Sequence, residues 1–143
     1  MIVADTNIIA YLYLEGERSA QVEMLLEKNT PWAAPLLWRS EFRHVLALYM
    51  RKRNLSLEHA QQIMEEAMLL MKGNEYEVVS FHILELAAAS ACSAYDCEFV
   101  ALAQDLGIPL VTVDQKIQKE FPHIAVSLDD FMGGSEKMAS NPA

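Results

Sequence analysis

Two short hydrophobic segments of this chain each end at an aspartate. Residues 1–4 lead into Asp5, and residues 108–113 lead into Asp114. An acid at the C-terminal end of a buried strand lies where open α/β sheets bind their ligands. Two such acids, far apart in the sequence, predict carboxylates that converge on one edge of a sheet. Converged carboxylates are typical ligands of a hard divalent cation.

Two further acids are expected at the same edge. A helix predicted to start near Tyr95 leads into the strand that ends before Asp114. About eleven residues of helix span roughly 16 Å, and six residues of strand span about 20 Å. The helix and the strand run in opposite directions and are similar in length. The chain therefore comes back at Asp114 to the edge at which Asp96 lies. Glu41 lies about one turn into a helix that follows a short strand at 32–34, so it belongs at this edge together with Asp5.

Each acid alone also has a structural explanation. Asp5 and Asp114 could cap the turns that follow them, and Asp96 could complement a helix dipole. Glu41 could lie on a solvated helix face. The predicted convergence of all four acids favours a functional site over four separate structural roles.

Composition narrows the class of protein. The chain has 143 residues, of which 52% are hydrophobic and 22% charged, which fits one ordered globular domain. Its net charge of −9 argues against a surface that binds nucleic acid everywhere, but allows a nuclease with a local basic stripe. Without a signal-like or membrane-length apolar run, we expect a soluble cytoplasmic protein with no membrane contact. The spacing of Cys92 and Cys97 matches no common zinc pattern, so both are expected as small buried residues.

Strands and helices alternate along the sequence. This order predicts an α/β fold with three layers, α/β/α, around a central, mainly parallel sheet of four to five strands. We predict one domain over residues 1–131 and a disordered polar tail over 132–143. The predicted strands cover 2–5, 32–34, 75–80, 108–113 and 123–126. The predicted helices cover 8–14, a segment from 19, 37–53, 56–72, 83–92, 95–106 and 115–120.

The helix predicted over 37–53 concentrates basic groups. Arg39 and Arg43 are four residues apart and could flank Glu41, where they would hold phosphates beside a metal site. The alternative is that these charges serve solubility or pair with nearby acids.

Four segments of the chain resemble the PIN domain family, in particular the VapC-type toxins of toxin–antitoxin pairs. The most specific is 93–103 (SAYDCEFVALA), where a Tyr-Asp pair precedes an aromatic residue and Ala-Leu-Ala. The others are 2–7 (IVADTN), 34–41 (APLLWRSE) and 110–114 (LVTVD). The resemblance extends from residue 1 to about 131.

The resemblance implies a function and a set of residue roles. Asp5, Glu41, Asp96 and Asp114 would form the catalytic acidic quartet and hold Mg²⁺ or Mn²⁺. The supporting polar residues, which orient acids or waters, would be Thr6, Asn7 and Thr112. The activity implied is metal-dependent endonucleolytic cleavage of single-stranded RNA by the toxin of a type II toxin–antitoxin pair. A homodimer and a cognate antitoxin are the implied protein partners.

Two other functions remain open. One is a PIN-type nuclease that acts outside a toxin–antitoxin pair, and the other is a catalytically silent PIN-fold binding module. The complete set of four acids favours an enzyme.

Overall fold

The computed structural model describes residues 1–133. Short strands alternate with helices along these residues, as the sequence predicts, and residues 128–133 are helical as well. The elements are β1 (Ile2–Ala4), α1 (Thr6–Tyr13), α2 (Ser19–Lys28), β2 (Trp32–Pro35), α3 (Leu37–Lys52), α4 (Leu57–Met71), β3 (Glu75–Tyr76), α5 (Ser80–Ala88), α6 (Ala94–Leu106), β4 (Leu110–Thr112), α7 (Gln115–Glu120) and β5 (Ala125–Ser127).

The strands form one sheet in the order β3-β2-β1-β4-β5, and every pairing is parallel. In the centre of the sheet, Val3 is in register with Ala33 on one side and with Leu110 on the other. The chain builds β2 and β3 on one side of β1, then crosses to build β4 and β5 on the other side. Strand order therefore reverses between β1 and β4, which is where open α/β sheets bind ligands. The predicted three-layer α/β/α architecture is confirmed.

The core lies on both faces of the central strands. All residues of β1 and β4 are buried, which explains why these strands are apolar except for Thr112, whose hydroxyl is also buried. Helix α6 contacts β1, β2 and β4 through a buried face of small residues such as Cys97, Ala101 and Ala103. Larger side chains fill the core elsewhere, and burying one such as Phe42 contributes roughly 1.5–3 kcal/mol. Cys92 and Cys97 are both free and buried, as predicted.

Local signals explain where several helices begin and end. The hydroxyl of Ser56 accepts a 3.1 Å hydrogen bond from the backbone N–H of His59 and caps α4. Helix α6 ends at Gly107, whose φ of 66° lies in the left-handed region that glycine adopts without strain. Both ends were expected from the sequence.

Other element bounds differ from the predictions. Strand β3 covers only Glu75–Tyr76, and α5 begins at Ser80, where the sequence predicted that the strand would continue. Strand β3 lies at the edge of the sheet and pairs only with β2. Beyond this pairing the chain leaves the sheet, and Val79 is 66% exposed.

The helical segment 128–133 includes Met132, which is 4% exposed and therefore packs with the domain. The rest of the predicted tail, 134–143, lies outside the described residues. Within residues 1–133, no helix is both long and apolar enough to cross a bilayer.

Candidate active site

Asp5 and Asp114 lie side by side at the edge of the sheet where strand order reverses. Asp5 follows β1 and caps α1, and Asp114 follows β4 and caps α7. Because β1 and β4 are parallel neighbours, their C-terminal ends meet at one edge. Asp5 and Asp114 thus cap helices and also share one edge of the sheet. A structural role as a cap and a functional role at the edge are therefore compatible for both residues.

Two helices bring Glu41 and Asp96 to the same cleft. Glu41 lies in the second turn of α3, and its Oε1 accepts a 2.7 Å hydrogen bond from the hydroxyl of Thr6 on α1. Asp96 lies in the first turn of α6, where its backbone N–H donates a 3.1 Å hydrogen bond to the capping hydroxyl of Ser93. The structure thus places all four predicted acids along one cleft.

Two buried threonines hold the acids in place. The hydroxyl of Thr112 is fully buried and donates a 2.6 Å hydrogen bond to Asp5 Oδ2. The same Thr112 oxygen accepts a 3.0 Å hydrogen bond from the backbone N–H of Asp114. Thr6 is 5% exposed and donates its backbone N–H to Asp5 Oδ1 at 2.7 Å. Asn7, the third predicted supporting residue, is exposed and lines the cleft.

The cleft holds negative charge that the described protein does not neutralise. Burial raises the pKa of Asp5, and the nearby charges of Asp96 and Asp114 raise it further, against the opposing effect of hydrogen bonds from Thr112 and Thr6. Within the described residues, none of the four acids forms a salt bridge. A cation bound here would therefore relieve both desolvation and repulsion.

The pKa of Glu41 is raised for the same reasons as that of Asp5. Burial raises its pKa, the Thr6 hydrogen bond lowers it, and the charges of Asp5, Asp96 and Glu98 raise it again. Glu98 was not expected to act at the site, since it lies two residues beyond Asp96 on the same helix. Its charge nevertheless reaches Glu41, so the cleft is more acidic than the quartet alone would make it.

The donor chemistry of the cleft fits a divalent cation such as Mg²⁺ or Mn²⁺. The cleft has a volume of about 550 Å³, and its charged donors are carboxylate oxygens, which hard cations prefer. Among residues 1–133, no three His, Cys, Asp or Glu side chains already lie close enough together to enclose a metal ion. Asp5, Asp96, Asp114 and Glu41 would therefore hold a cation after side-chain rotation or through bridging waters.

The two predicted RNA-contact arginines lie in different places. The Arg39 guanidinium donates two hydrogen bonds of 2.6 Å to the carboxylate of Glu75 and lines a second cavity, beside Lys72. This places it away from Glu41. The Arg43 guanidinium donates a 3.1 Å hydrogen bond to the hydroxyl of Ser40, which lines the acidic cleft. Only Arg43 thus lies near the cleft rim.

The cleft also contains residues that the sequence did not single out as site residues. Ser40 and His44 flank Glu41 on α3, and Tyr95 precedes Asp96 on α6. Helical spacing could have indicated His44, because residues three positions apart share a helix face. Leu37 and Val45 complete the wall that α3 contributes.

Three comparisons relate this arrangement to known proteins. A sequence profile described as PIN domain matches residues 2–123. The chain is 29% identical over 124 residues to Ribonuclease VapC3 of Pyrobaculum aerophilum, with coverage of 85% of this chain and 95% of the relative. Together these matches include the sequence positions of all four cleft acids.

Solved structures share the fold at low sequence identity. PAE2754 from Pyrobaculum aerophilum matches with a TM-score of 0.73 and 15% identity, covering 95% of this chain and 89% of the other. A toxin–antitoxin complex from Klebsiella pneumoniae matches with a TM-score of 0.64 and 20% identity, covering 90% and 98%. The profile match spans most of the chain and both halves of the sheet, and the protein therefore belongs to the PIN domain family.

Proposed function

We propose that this protein is a divalent-cation-dependent endoribonuclease that cleaves single-stranded RNA, and that it is the toxin of a type II toxin–antitoxin pair. The observation that carries the proposal is the cleft in which Asp5, Glu41, Asp96 and Asp114 meet without a neutralising cation among the described residues. The relative named Ribonuclease VapC3 supports RNA as the substrate class.

Asp5, Asp96 and Asp114 are the proposed metal ligands, with Glu41 as a further ligand or as the group that positions the attacking water. When bound, Mg²⁺ or Mn²⁺ supplies charge stabilisation at the scissile phosphate and lowers the pKa of a bound water. The threonines supply orientation. Thr112 holds Asp5 at 2.6 Å, and Thr6 holds Glu41 at 2.7 Å, which limits the rotations open to both carboxylates.

The remaining polar groups act on the substrate. Asn7 faces the cleft with a side-chain amide, which can donate to a phosphate or sugar oxygen. Arg43 at the rim remains the proposed phosphate contact, while Arg39 is dropped from this role because Glu75 holds its guanidinium.

The proposed partners are an RNA substrate, a cognate antitoxin and a second copy of the chain. The structurally similar protein from Klebsiella pneumoniae belongs to a toxin–antitoxin complex, which supports an antitoxin partner here. The homodimer remains a prediction from the family resemblance.

The direct test is incubation with a panel of single-stranded RNAs in Mg²⁺ or Mn²⁺. We expect cleavage by the wild type, its loss on addition of EDTA, and its loss in Asp5→Asn and Asp96→Asn. Asp129→Asn is the matched control, because Asp129 is an exposed acid that lines a different cavity. Cleavage that persists in both site variants would exclude the acidic cleft as the active site.

The same experiment separates the alternative functions. RNA cleavage by the wild type, together with a search by co-purification and co-expression that finds no protein inhibitor, would favour a nuclease that acts outside a toxin–antitoxin pair. Tight binding of a co-expressed protein, with no cleavage of any RNA by the wild type, would favour a catalytically silent binding module.

A further inference from the structure

The cleft contains an aromatic side chain that the proposed chemistry does not use. Tyr95 is 64% exposed, although its neighbour Asp96 is partly buried, and it lines the cleft from the first turn of α6. Its ring stacks on no other ring within residues 1–133, and its hydroxyl has no hydrogen-bond partner there. An exposed aromatic with a free face, fixed beside an acid of the site, is suited to receive a planar ligand.

The charge of the cleft favours such a contact. Four of its lining residues are acids, and none of the lining residues within 1–133 is Lys or Arg. The whole chain carries a net charge of −9. The side chains that line the cleft therefore add little cationic attraction for the phosphates next to the scissile bond, so a contact to a base would add to the affinity that a bound cation and Arg43 supply.

Tyr95 occupies a defined position relative to the acids. The hydroxyl of Ser93 caps the helix by accepting a hydrogen bond from the backbone N–H of Asp96. This bond fixes the first turn of α6. Tyr95 and Asp96 are consecutive in that turn. A base stacked on Tyr95 would therefore belong to a nucleotide next to the phosphate that the acids address.

We propose that Tyr95 is the stacking platform of this cleft and that it selects an unpaired base adjacent to the scissile phosphate. This inference rests on the proposed ribonuclease function and specifies how the site chooses its substrate. A base inside a duplex is covered on both faces, so stacking on Tyr95 requires a single-stranded nucleotide. Recognition then depends on the ring of Tyr95 more than on cation–phosphate contacts.

The test is a binding assay that does not depend on cleavage. Short single-stranded RNAs that carry 2-aminopurine are titrated with protein in Ca²⁺, and gels check that the RNA stays intact. Stacking quenches 2-aminopurine fluorescence. We expect quenching by the wild type and by Tyr95→Phe, and affinity about 10- to 100-fold weaker, without quenching, for Tyr95→Ala. Phe81→Ala is the matched control, since Phe81 is a 71% exposed aromatic on α5.

Salt dependence separates stacking from a phosphate contact. For a stacking platform, Tyr95→Ala lowers the affinity at every salt concentration and leaves the slope of log K against log salt unchanged. Equal affinity of Tyr95→Ala and wild type would overturn the inference, as would a Tyr95→Phe variant as weak as Tyr95→Ala. Wild-type quenching that is lost in Tyr95→Ala, with no RNA cleaved in Mg²⁺ or Mn²⁺, would support the platform and reject the ribonuclease function. Absence of wild-type binding to any RNA, with RNA cleavage intact, would reject the platform alone.

Discussion

The fully buried hydroxyl of Thr112 donates a 2.6 Å hydrogen bond to Asp5 across 107 positions of sequence. This hydrogen bond joins the ends of β4 and β1. The same hydroxyl also accepts a hydrogen bond from the backbone N–H of Asp114. One hydroxyl therefore orients an acid at one strand end and the backbone at the other. It has the properties of a residue that sets the geometry of a metal site without ligating the metal.

Replacing this hydroxyl tests its role. Thr112→Val keeps the shape but leaves Asp5 and the Asp114 N–H without their partner, so we expect a loss of about 1–3 kcal/mol in the free energy of unfolding. Cation affinity should fall about 10- to 100-fold. Urea unfolding and Mn²⁺ titration measure the two effects. Thr112→Ser keeps the hydroxyl, and a Ser variant as impaired as Val would show that the methyl group matters instead.

The raised pKa values of Asp5 and Glu41 predict how stability depends on pH. A carboxyl with a raised pKa in the folded state favours folding below its unfolded pKa, and this contribution is lost as the pH rises through the folded value. We therefore expect Asp5→Asn to gain stability relative to wild type as the pH rises above the unfolded pKa of Asp5 and through its raised folded value. Urea unfolding at several pH values measures the difference, and a constant difference would contradict the prediction.

A divalent cation should stabilise the folded protein through the same acids. A ligand at 100 times its dissociation constant adds about 2.7 kcal/mol if it binds only the folded state. We expect Mn²⁺ or Mg²⁺ to raise the melting temperature of the wild type and of Asp129→Asn. Asp5→Asn and Asp96→Asn should show a smaller shift. An equal shift in all four proteins would place the cation elsewhere.

Glu75 predicts a separate stability effect. Its carboxylate accepts hydrogen bonds from Trp38 Nε1 at 2.7 Å and from Arg39, and these contacts lower its pKa. Its contribution to stability is therefore present above the unfolded pKa and lost as the pH falls through the lower folded value. At neutral pH, Glu75→Gln should reduce the urea midpoint more than Asp129→Asn, which breaks the exposed 3.5 Å pair with Arg18. The two midpoints should converge as the pH falls through the lowered folded pKa of Glu75.

Much of the site was predictable because its acids follow strong local signals. Asp5 and Asp114 each follow a mainly apolar segment, and such segments are typical of strands buried on both faces. Asp96 followed from the lengths of α6 and β4, and Glu41 from its distance after β2. These deductions need only the parallel direction of the strands, which βα alternation provides.

The contacts that sequence reasoning missed depend on neighbours distant in the chain. The sequence left open whether Arg39 flanks Glu41 or pairs with a nearby acid, and in the structure it pairs with Glu75 because β3 lies next to β2. Strand order could not be derived from this sequence, so neither could that pair. Strand β3 itself was predicted too long, because the alternating pattern continues to residue 80 while the edge pairing stops at Tyr76.

The position of β1 in the sheet has a consequence for synthesis of the protein. During translation β1 emerges before β4, so one edge of β1 stays unpaired until β4 has left the ribosome, since Val3 aligns with Leu110. Asp114 emerges later still. A nascent chain therefore holds Asp5 and Glu41 before it holds Asp96 and Asp114, so the acidic cleft cannot assemble until the segment that contains all four acids has been made. The order of strands thus delays any activity of this cleft until the chain has been made as far as Asp114.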